Sequence, residues 1–494
     1  MPRVTCCSNG SAPKIVDERP LECGTGALEA ARCERHTFDP SLLREYDMRG
    51  VWGETLGPRD AYAVGRSFAT RVRRAGGKRV AVGRDGRLSS PALEAALVMG
   101  LVEGGIDVRR IGLSPTPLLY YAVASAVDVD GGIEVTGSHN PKDHNGFKMD
   151  LGGRPFFGDD IADLGRIAAA GDWSLGAGSI EDVDLSAAYC ERILHALDDI
   201  AAAELEPLRI GWDAGNGAAG PLIERLIQHV PGQHILFYTA VDGHFPHHHP
   251  DPTVAENLSD LIAAVAQGTI DLGFAFDGDG DRLGVVDGRG RILWGDQILL
   301  ILVQDLLARR PGALIMADVK SSQTLFDAVT ALGGRALMAP TGHSLIKSGM
   351  RQSGAVLAGE MTGHLFFADD YYGYDDALYA ALRLLAASVR LGRSLTALRD
   401  AMPKTHVTPD LRFAVPGIDP FAAVARLTAL LAAQGIAFDA TDGARVTTPD
   451  GWWLLRASNT QAMLTARVES LTAQGLDRLL ADLDGWLARI GIHR

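Results

Sequence analysis

Cysteine is scarce: the 494-residue chain has five, with Cys6, Cys7, Cys23 and Cys33 crowded near the start and only Cys190 in the body. So few thiols make no disulfide framework, and a reducing, cytoplasmic setting is expected. The early thiols, an adjacent pair followed by two wide gaps, lack zinc-knuckle spacing and read as incidental to a leader. Long apolar runs are missing too. ILLILV from Ile298 is short and ALYAALRLLAASV from Ala377 carries an arginine, so neither reaches the roughly 18 apolar residues a membrane span needs. No apolar signal core follows Arg3. Positive charge is in deficit, with 47 basic against 61 acidic residues and a net charge of −14. No global field is available to hold a polynucleotide, so neither nucleic acid nor membrane is an expected partner. An enzyme of this composition that handles anionic metabolites needs its cations concentrated in a cleft.

Hydrophobic residues (47%) and charged residues (22%) are in the balance of an ordinary globular protein. The length exceeds a single compact core. From Tyr46 on, short apolar runs alternate with Ala/Leu-rich helical stretches. The runs Arg79 to Gly83, Gly131 to Thr136, Arg209 to Ala214, Asp271 to Phe276, Ala313 to Val319 and Ala355 to Glu360 are predicted strands. The fold class is therefore α/β, with a last portion of helix, strands and helix that reads as α+β. Turn-rich stretches divide the chain into a poorly ordered extension over 1–37 and four units at 38–184, 185–290, 291–403 and 404–494.

Several loops carry chemistry. In FDGDGDRLGVV, Asp277, Asp279 and Asp281 follow an apolar strand at alternate positions, with glycines between them that let three carboxylates converge. Converging carboxylates repel unless a cation sits among them, and hard oxygen ligands favour magnesium. An EF-hand is excluded, because Arg282 stands where its glycine belongs and Gly288 where its glutamate belongs. In TGSHNPKDHNGFK, Ser138 lies at a strand's carboxyl end, where open α/β sheets bind ligands, with His139 and Lys148 in the same loop. VLAGEMTGHLFF puts Glu360, Thr362 and His364 on a turn suited to vicinal sugar hydroxyls. RASNT offers Arg456, Ser458, Asn459 and Thr460 as a phosphate grip. Gly215, Gly217 and Gly220 match a dinucleotide fingerprint, but a tight strand-to-helix turn is the better reading. The triple His247, His248, His249 could bind a metal, but a solvated or domain-bridging loop is the better reading.

Together these loops resemble the α-D-phosphohexomutase family, closest to its bacterial phosphomannomutase/phosphoglucomutase branch, from about Tyr46 to the C-terminus. The matches are YDMRG, TGSHNPKDHNGFK, WDAGNGAAG, ENL, DGDGDR, DVKSS, TGHSLIK, GEMTGH and RASNT. The resemblance implies a heart-shaped fold, three similar α/β domains with mixed sheets plus a C-terminal α+β domain around a central cleft. It implies a hexose 6-phosphate/hexose 1-phosphate isomerase working through phosphoserine and a hexose 1,6-bisphosphate, which also serves as activator.

Carried over residue by residue, Ser138 holds the transferable phosphoryl group, and Mg2+ is bound by Ser138, Asp277, Asp279 and Asp281. Lys148, Arg49 and His343 are the acid/base and charge-stabilising candidates. Tyr46, Arg282, Lys320 and His343 line the cleft, Glu360, Met361, Thr362, Gly363 and His364 read the sugar, and Arg456, Ala457, Ser458, Asn459 and Thr460 grip the other phosphate. The partners implied are small phosphosugars, with the chain a monomer or dimer. Thr362 for serine, Met48 for isoleucine and Gln461-Ala462 depart from the family pattern and leave the sugar preference open between mannose, glucose and glucosamine; GEM favours the first two. A phosphoglucosamine mutase, a non-catalytic phosphosugar binder and an aspartyl phosphatase using Asp277 and Asp279 are the alternatives.

Overall fold

Four sheets follow one another along the chain in the computed structural model, which describes residues 4–6, 25–458 and 463–494. The first has the order Met48–Val51, His144–Leu151, Gly131–Val135, Arg79–Arg84, Asp107–Leu113, Ile180–Asp182. Its centre is parallel, and the hairpin Gly131–Val135/His144–Leu151 is antiparallel, with Glu134 opposite Lys148. That hairpin turns through the Ser138 loop. The second sheet pairs Gln233–Phe237, Arg209–Asp213 and Leu272–Phe276 in parallel, adds Leu283–Val286 and Ile292–Leu293 antiparallel, and receives Val4–Cys6 at its edge. The third runs Arg335–Ala339, Leu314–Asp318, Leu357–Gly359, Leu365–Phe367. The fourth is antiparallel, built on Gly451–Ala457 and Met463–Ser470. Helices Pro420–Ala433 and Ala473–Arg489 contribute Leu427, Leu431, Leu479 and Leu483 to its core.

The helices carry their own boundary signals. Pro58–Arg74 begins with proline, whose missing N–H is one the helix leaves unused, and Asp60 accepts from Gly57 N at 2.8 Å. It ends with Arg71, Arg73 and Arg74, which complement the helix dipole. Its partner Ser90–Glu103 approaches so closely at Gly65 and Gly100 that a Cβ on Gly65 would lie 2.2 Å from Leu97 O. Two large cores result: one inside the first unit, and one that runs from the first unit's helix Thr116–Ala124 through the second and third and takes in Leu118, Tyr189, Trp212, Leu302 and Leu385. The first three units therefore share part of their apolar interior. The fourth docks through Arg445, whose guanidinium lies 3.8 Å from the Trp452 ring centroid and donates to Val319 O at 2.8 Å.

Part of the stretch assigned to an N-terminal extension packs on the first unit. Helix Thr25–Ala31 lies against Pro58–Arg74 and Ser90–Glu103, Ala31 is buried, and His36 Nε2 meets Asp60 Oδ1 at 2.8 Å. Cys7 and Cys23 lie outside the described residues. Cys33 and Cys190 are free thiols. Among the described residues no helix is long and apolar enough to cross a membrane.

Candidate active site

Ser138 stands on a backbone few serines adopt, with φ of 49°. It is held there from below. The buried Arg87 guanidinium donates to four carbonyls, those of Ser138 (2.6 Å), Asn140 (2.7 Å), Pro141 (2.6 Å) and His144 (2.9 Å). Asp85 accepts from Thr136 Oγ1 at 2.8 Å, and Thr136 Oγ1 accepts from Ser138 N at 2.8 Å. Arg49 Nη1 donates to Gly137 O and Asn140 Oδ1 from the other side. His249 Nε2 bonds His139 O across the interface between the first two units. His247 and His248 bond Asn216 and Asp213 instead, so the three histidines serve three separate partners.

The acid loop meets the serine loop edge to edge. Ser138 Oγ donates to Asp277 Oδ2 at 2.8 Å and lies 3.1 Å from His139 Nδ1. A Cβ on Gly278 would fall 2.5 Å from Ser138 O, so only glycine permits this approach. The glycine turn of WDAGNGAAG supports the loop from behind: Ala218 N donates to Gly278 O at 3.0 Å, and a Cβ on Gly217 would lie 2.8 Å from that oxygen. Its glycines serve packing against the acid loop. Thr116 Oγ1 donates to Asp279 Oδ2 at 2.5 Å.

Asp277, Asp279 and Asp281 are fully buried and have oxygens within 4.8 Å of one another. Lys148 Nζ bridges Asp279, at 2.6 Å, and Asp281. Burial alone would lower the Lys148 ammonium, but the two carboxylates outweigh it and hold it above lysine's usual value. Burial and the neighbouring acids push Asp277 well above the carboxylate range. Asp279 Oδ1 and Asp281 Oδ1 are buried with no hydrogen-bond partner among the described residues. Such oxygens cost free energy unless something binds them, and this donor set fits a hard divalent cation.

Above this floor opens a cleft of about 480 Å3 to which all four units contribute. It brings together Tyr46, Arg49, Ser138, His139, Lys148, Arg282, Lys320, His343, Glu360, Thr362, His364, Arg456 and Ser458. Glu360 accepts from Gly342 N and from Thr362 Oγ1, both at 2.8 Å, which ties the TGH turn to the GEMTGH loop. Met361 and Gly363 shape that loop without lining the cleft: Met361 N donates to Asp318 Oδ1 at 3.2 Å, and Gly363, with φ of 93°, lies against Leu283. Ala457 faces away, into an apolar groove of the fourth unit. Asn459 and Thr460 lie outside the described residues. Arg456 Nε donates to Asp442 Oδ2 at 2.8 Å, and that same oxygen receives Thr341 N. A larger groove of about 1570 Å3 lies elsewhere, between the first unit and Ser348, Arg351 and Gln352 of the third, where Arg71 and Arg154 already share Asp160. It holds none of the residues above.

Family models agree with this arrangement: domains I, II and III, each described as an alpha/beta/alpha domain of phosphoglucomutase/phosphomannomutase, match residues 40–173, 187–290 and 294–406, and the C-terminal domain matches 411–485. The chain belongs to the phosphoglucomutase/phosphomannomutase family. Within that family it is 42% identical over 443 residues to a phosphomannomutase/phosphoglucomutase of Pseudomonas aeruginosa, covering 90% of this chain and 94% of that one. It is 41% identical to a phosphoglucomutase of Neisseria gonorrhoeae, over 89% of this chain and 95% of the relative. A crystal structure of a family protein from Burkholderia thailandensis superposes with a TM-score of 0.85 at 41% identity, covering 92% of this chain and 98% of the other. The family's α/β architecture with a distinct C-terminal domain is the fold described above.

The sequence missed several residues of the site. Arg87, Asp85, Thr116, Asp442 and Asp375 sit outside its quoted loops, and Lys347, which closes the TGHSLIK match, was not singled out there. Only GRDGR, in which the strand Arg79–Arg84 ends in a charged turn, carried a signal that could have drawn attention to Arg87.

Proposed function

We propose that the chain interconverts hexose 6-phosphate and hexose 1-phosphate, with mannose and glucose as the hexoses, by passing a phosphoryl group between Ser138 and the sugar. The observation that carries this reading is the Ser138 hydroxyl, 2.8 Å from Asp277 over a buried acid trio, on the floor of a cleft built by all four units. The names of the relatives that cover most of the chain support it.

In the first half-reaction the bond between phosphorus and Ser138 Oγ breaks and one forms to a sugar hydroxyl. The proton of that hydroxyl goes to a neutral base. His343, which burial first and Lys347 next hold well below the histidine range, is available for it. The hexose 1,6-bisphosphate then turns over in the cleft, and its other phosphoryl returns to Ser138 while the released hydroxyl regains a proton. Lys148 and Arg49 supply positive charge beside the serine. Glu360 and Thr362 read hydroxyls in either orientation. Arg456 and Ser458, completed by Asn459 and Thr460, hold the phosphate not being transferred. Ser138, Asp277, Asp279 and Asp281 would hold Mg2+, which when bound neutralises charge on the transferring group. The units at 38–184, 185–290, 291–403 and 404–494 then carry the phosphoserine, metal, sugar and phosphate loops.

Ser138→Ala tests the reading. The variant should melt as the wild type does yet turn over neither mannose nor glucose 1-phosphate, and intact mass with peptide mapping should find phosphate on Ser138 of the wild type. Full turnover by the variant, purified free of contaminating mutase, ends the phosphoserine mechanism.

A further inference from the structure

Arg456 projects from strand Gly451–Ala457, is buried and lines the cleft. Its Nε donates to Asp442 Oδ2 at 2.8 Å. A guanidinium is a rigid planar fork, so a bond that fixes Nε also fixes where Nη1 and Nη2 point. Asp442 reaches this edge because the turn that carries it lies on the strand. A Cβ on Gly443, whose φ is 88°, would fall 2.2 Å from Leu455 O and 2.8 Å from Arg456 Cα, so only glycine admits the approach. The strand Ala444–Thr448 that follows pairs with Gly451–Ala457 and holds the turn in place.

The same Asp442 oxygen accepts from Thr341 N at 3.1 Å, a bond from the fourth unit to the third. The next amide of that turn, Gly342 N, donates to Glu360 Oε1 at 2.8 Å. Two successive N–H groups of one turn thus hold two carboxylates, one beside the phosphate grip and one that reads the sugar. Tyr46 OH of the first unit donates to Thr341 O at 2.8 Å, which fixes the turn from its other side. Docking of the fourth unit has its own anchor in Arg445, which donates to Val319 O and Ser321 O, so removing Asp442 leaves that anchor in place.

We infer that Asp442 is a positioning residue: through one oxygen it aims the Arg456 guanidinium into the cleft and sets it in register with the turn that holds Glu360. A hexose phosphate reaching from Glu360 to Arg456 is then gripped at both ends by groups already ordered before it binds, which spares the affinity that ordering them would cost. Arg456 holds the phosphate not being transferred in the ground state and the transition state alike, so its aim governs KM rather than kcat. The inference deepens the mutase reading and rests on it for the ligand served.

The test measures steady-state turnover of glucose 1-phosphate with a trace of glucose 1,6-bisphosphate, and calorimetric binding of glucose 6-phosphate to full-length protein carrying Ser138→Ala. Asp442→Ala should raise KM and Kd by about 10–100-fold, the range for losing a hydrogen bond to a charged group, with kcat little changed. In an Arg456→Ala background the same substitution should change neither constant, because the two side chains act as one unit, whereas a mere staple between units would weaken both backgrounds alike. A folded Asp442→Ala with wild-type KM and Kd, or a loss that persists without Arg456, overturns the inference. If Asp442→Ala does not fold, Asp442→Asn replaces it: a smaller loss of affinity that vanishes without Arg456 supports the inference, and wild-type affinity overturns it. Glucose 6-phosphate bound with the expected dependence on Asp442 by a chain that turns over no hexose phosphate sinks only the mutase reading, whereas turnover that ignores Asp442 sinks only the positioning role.

Discussion

Replacing Arg87 by lysine removes the fork that holds the serine loop while keeping the charge. The guanidinium is wholly inaccessible and makes four bonds to carbonyls of the loop plus one to Asp85 at 3.2 Å. An ammonium has three donors, so at least two acceptors lose their partner. Each buried acceptor left unsatisfied costs about 1–3 kcal/mol, which gives about 2–6 kcal/mol in all. Ser138 stores strain as well, since a non-glycine residue in the left-handed region costs on the order of 1 kcal/mol or more and persists only while its surroundings enforce it. Part of the energy should therefore be released by the loop relaxing, which carries Ser138 away from Asp277. At the lower end, about 2 kcal/mol corresponds to a fall of about 4–8 °C in the melting temperature of a unit this size. Differential scanning calorimetry and steady-state turnover of Arg87→Lys measure the two effects together, and kcat should fall by more than the stability loss alone explains. A variant that melts within about 1 °C of the wild type and keeps its kcat refutes the assignment of Arg87 as the loop's anchor.

Gly278→Ala drives a Cβ to 2.5 Å from Ser138 O, so it should separate the acid loop from the serine, abolish most turnover and lower the melting temperature only modestly; wild-type kinetics would show that the two loops need not touch. Asp376 is fully buried, and burial pushes its carboxyl up to about 6 despite bonds from Tyr379 N, Tyr371 OH and Tyr189 OH. Because the folded value is raised, its contribution to stability is complete below pH about 4 and is lost as pH rises through 6, a swing of about 3 kcal/mol. Asp376→Asn should therefore gain stability relative to wild type between pH 5 and 8 in parallel melts. A difference that stays flat across that range contradicts the raised value.

The site's loops were legible because each interrupts an apolar strand with residues that only chemistry or tight turns demand. The run DGDGDR follows Leu272–Phe276, and the serine loop lies between Gly131–Val135 and His144–Leu151. The predicted strands appear within a residue or two of their expected limits for the same reason: a buried parallel strand is a short apolar run with turn residues at both ends. The GxGxxG match in WDAGNGAAG shows where pattern alone misleads. Its glycines satisfy the spacing of a dinucleotide turn, and only the 3.0 Å bond from Ala218 N to Gly278 O shows what they face.

Local composition and period, which act between residues a few positions apart, determined the α/β alternation, and the loop motifs carried the chemistry and the resemblance to the family. Tertiary structure alone decided which loops share a cleft and which cation anchors Ser138. Those outcomes depend on contacts between residues tens to hundreds of positions apart, such as Arg87 with Ser138, Lys148 with Asp279 and Arg282 with His364. In a buried site each partner's donors and acceptors set the state of the next, and no stretch of sequence holds both members of such a pair.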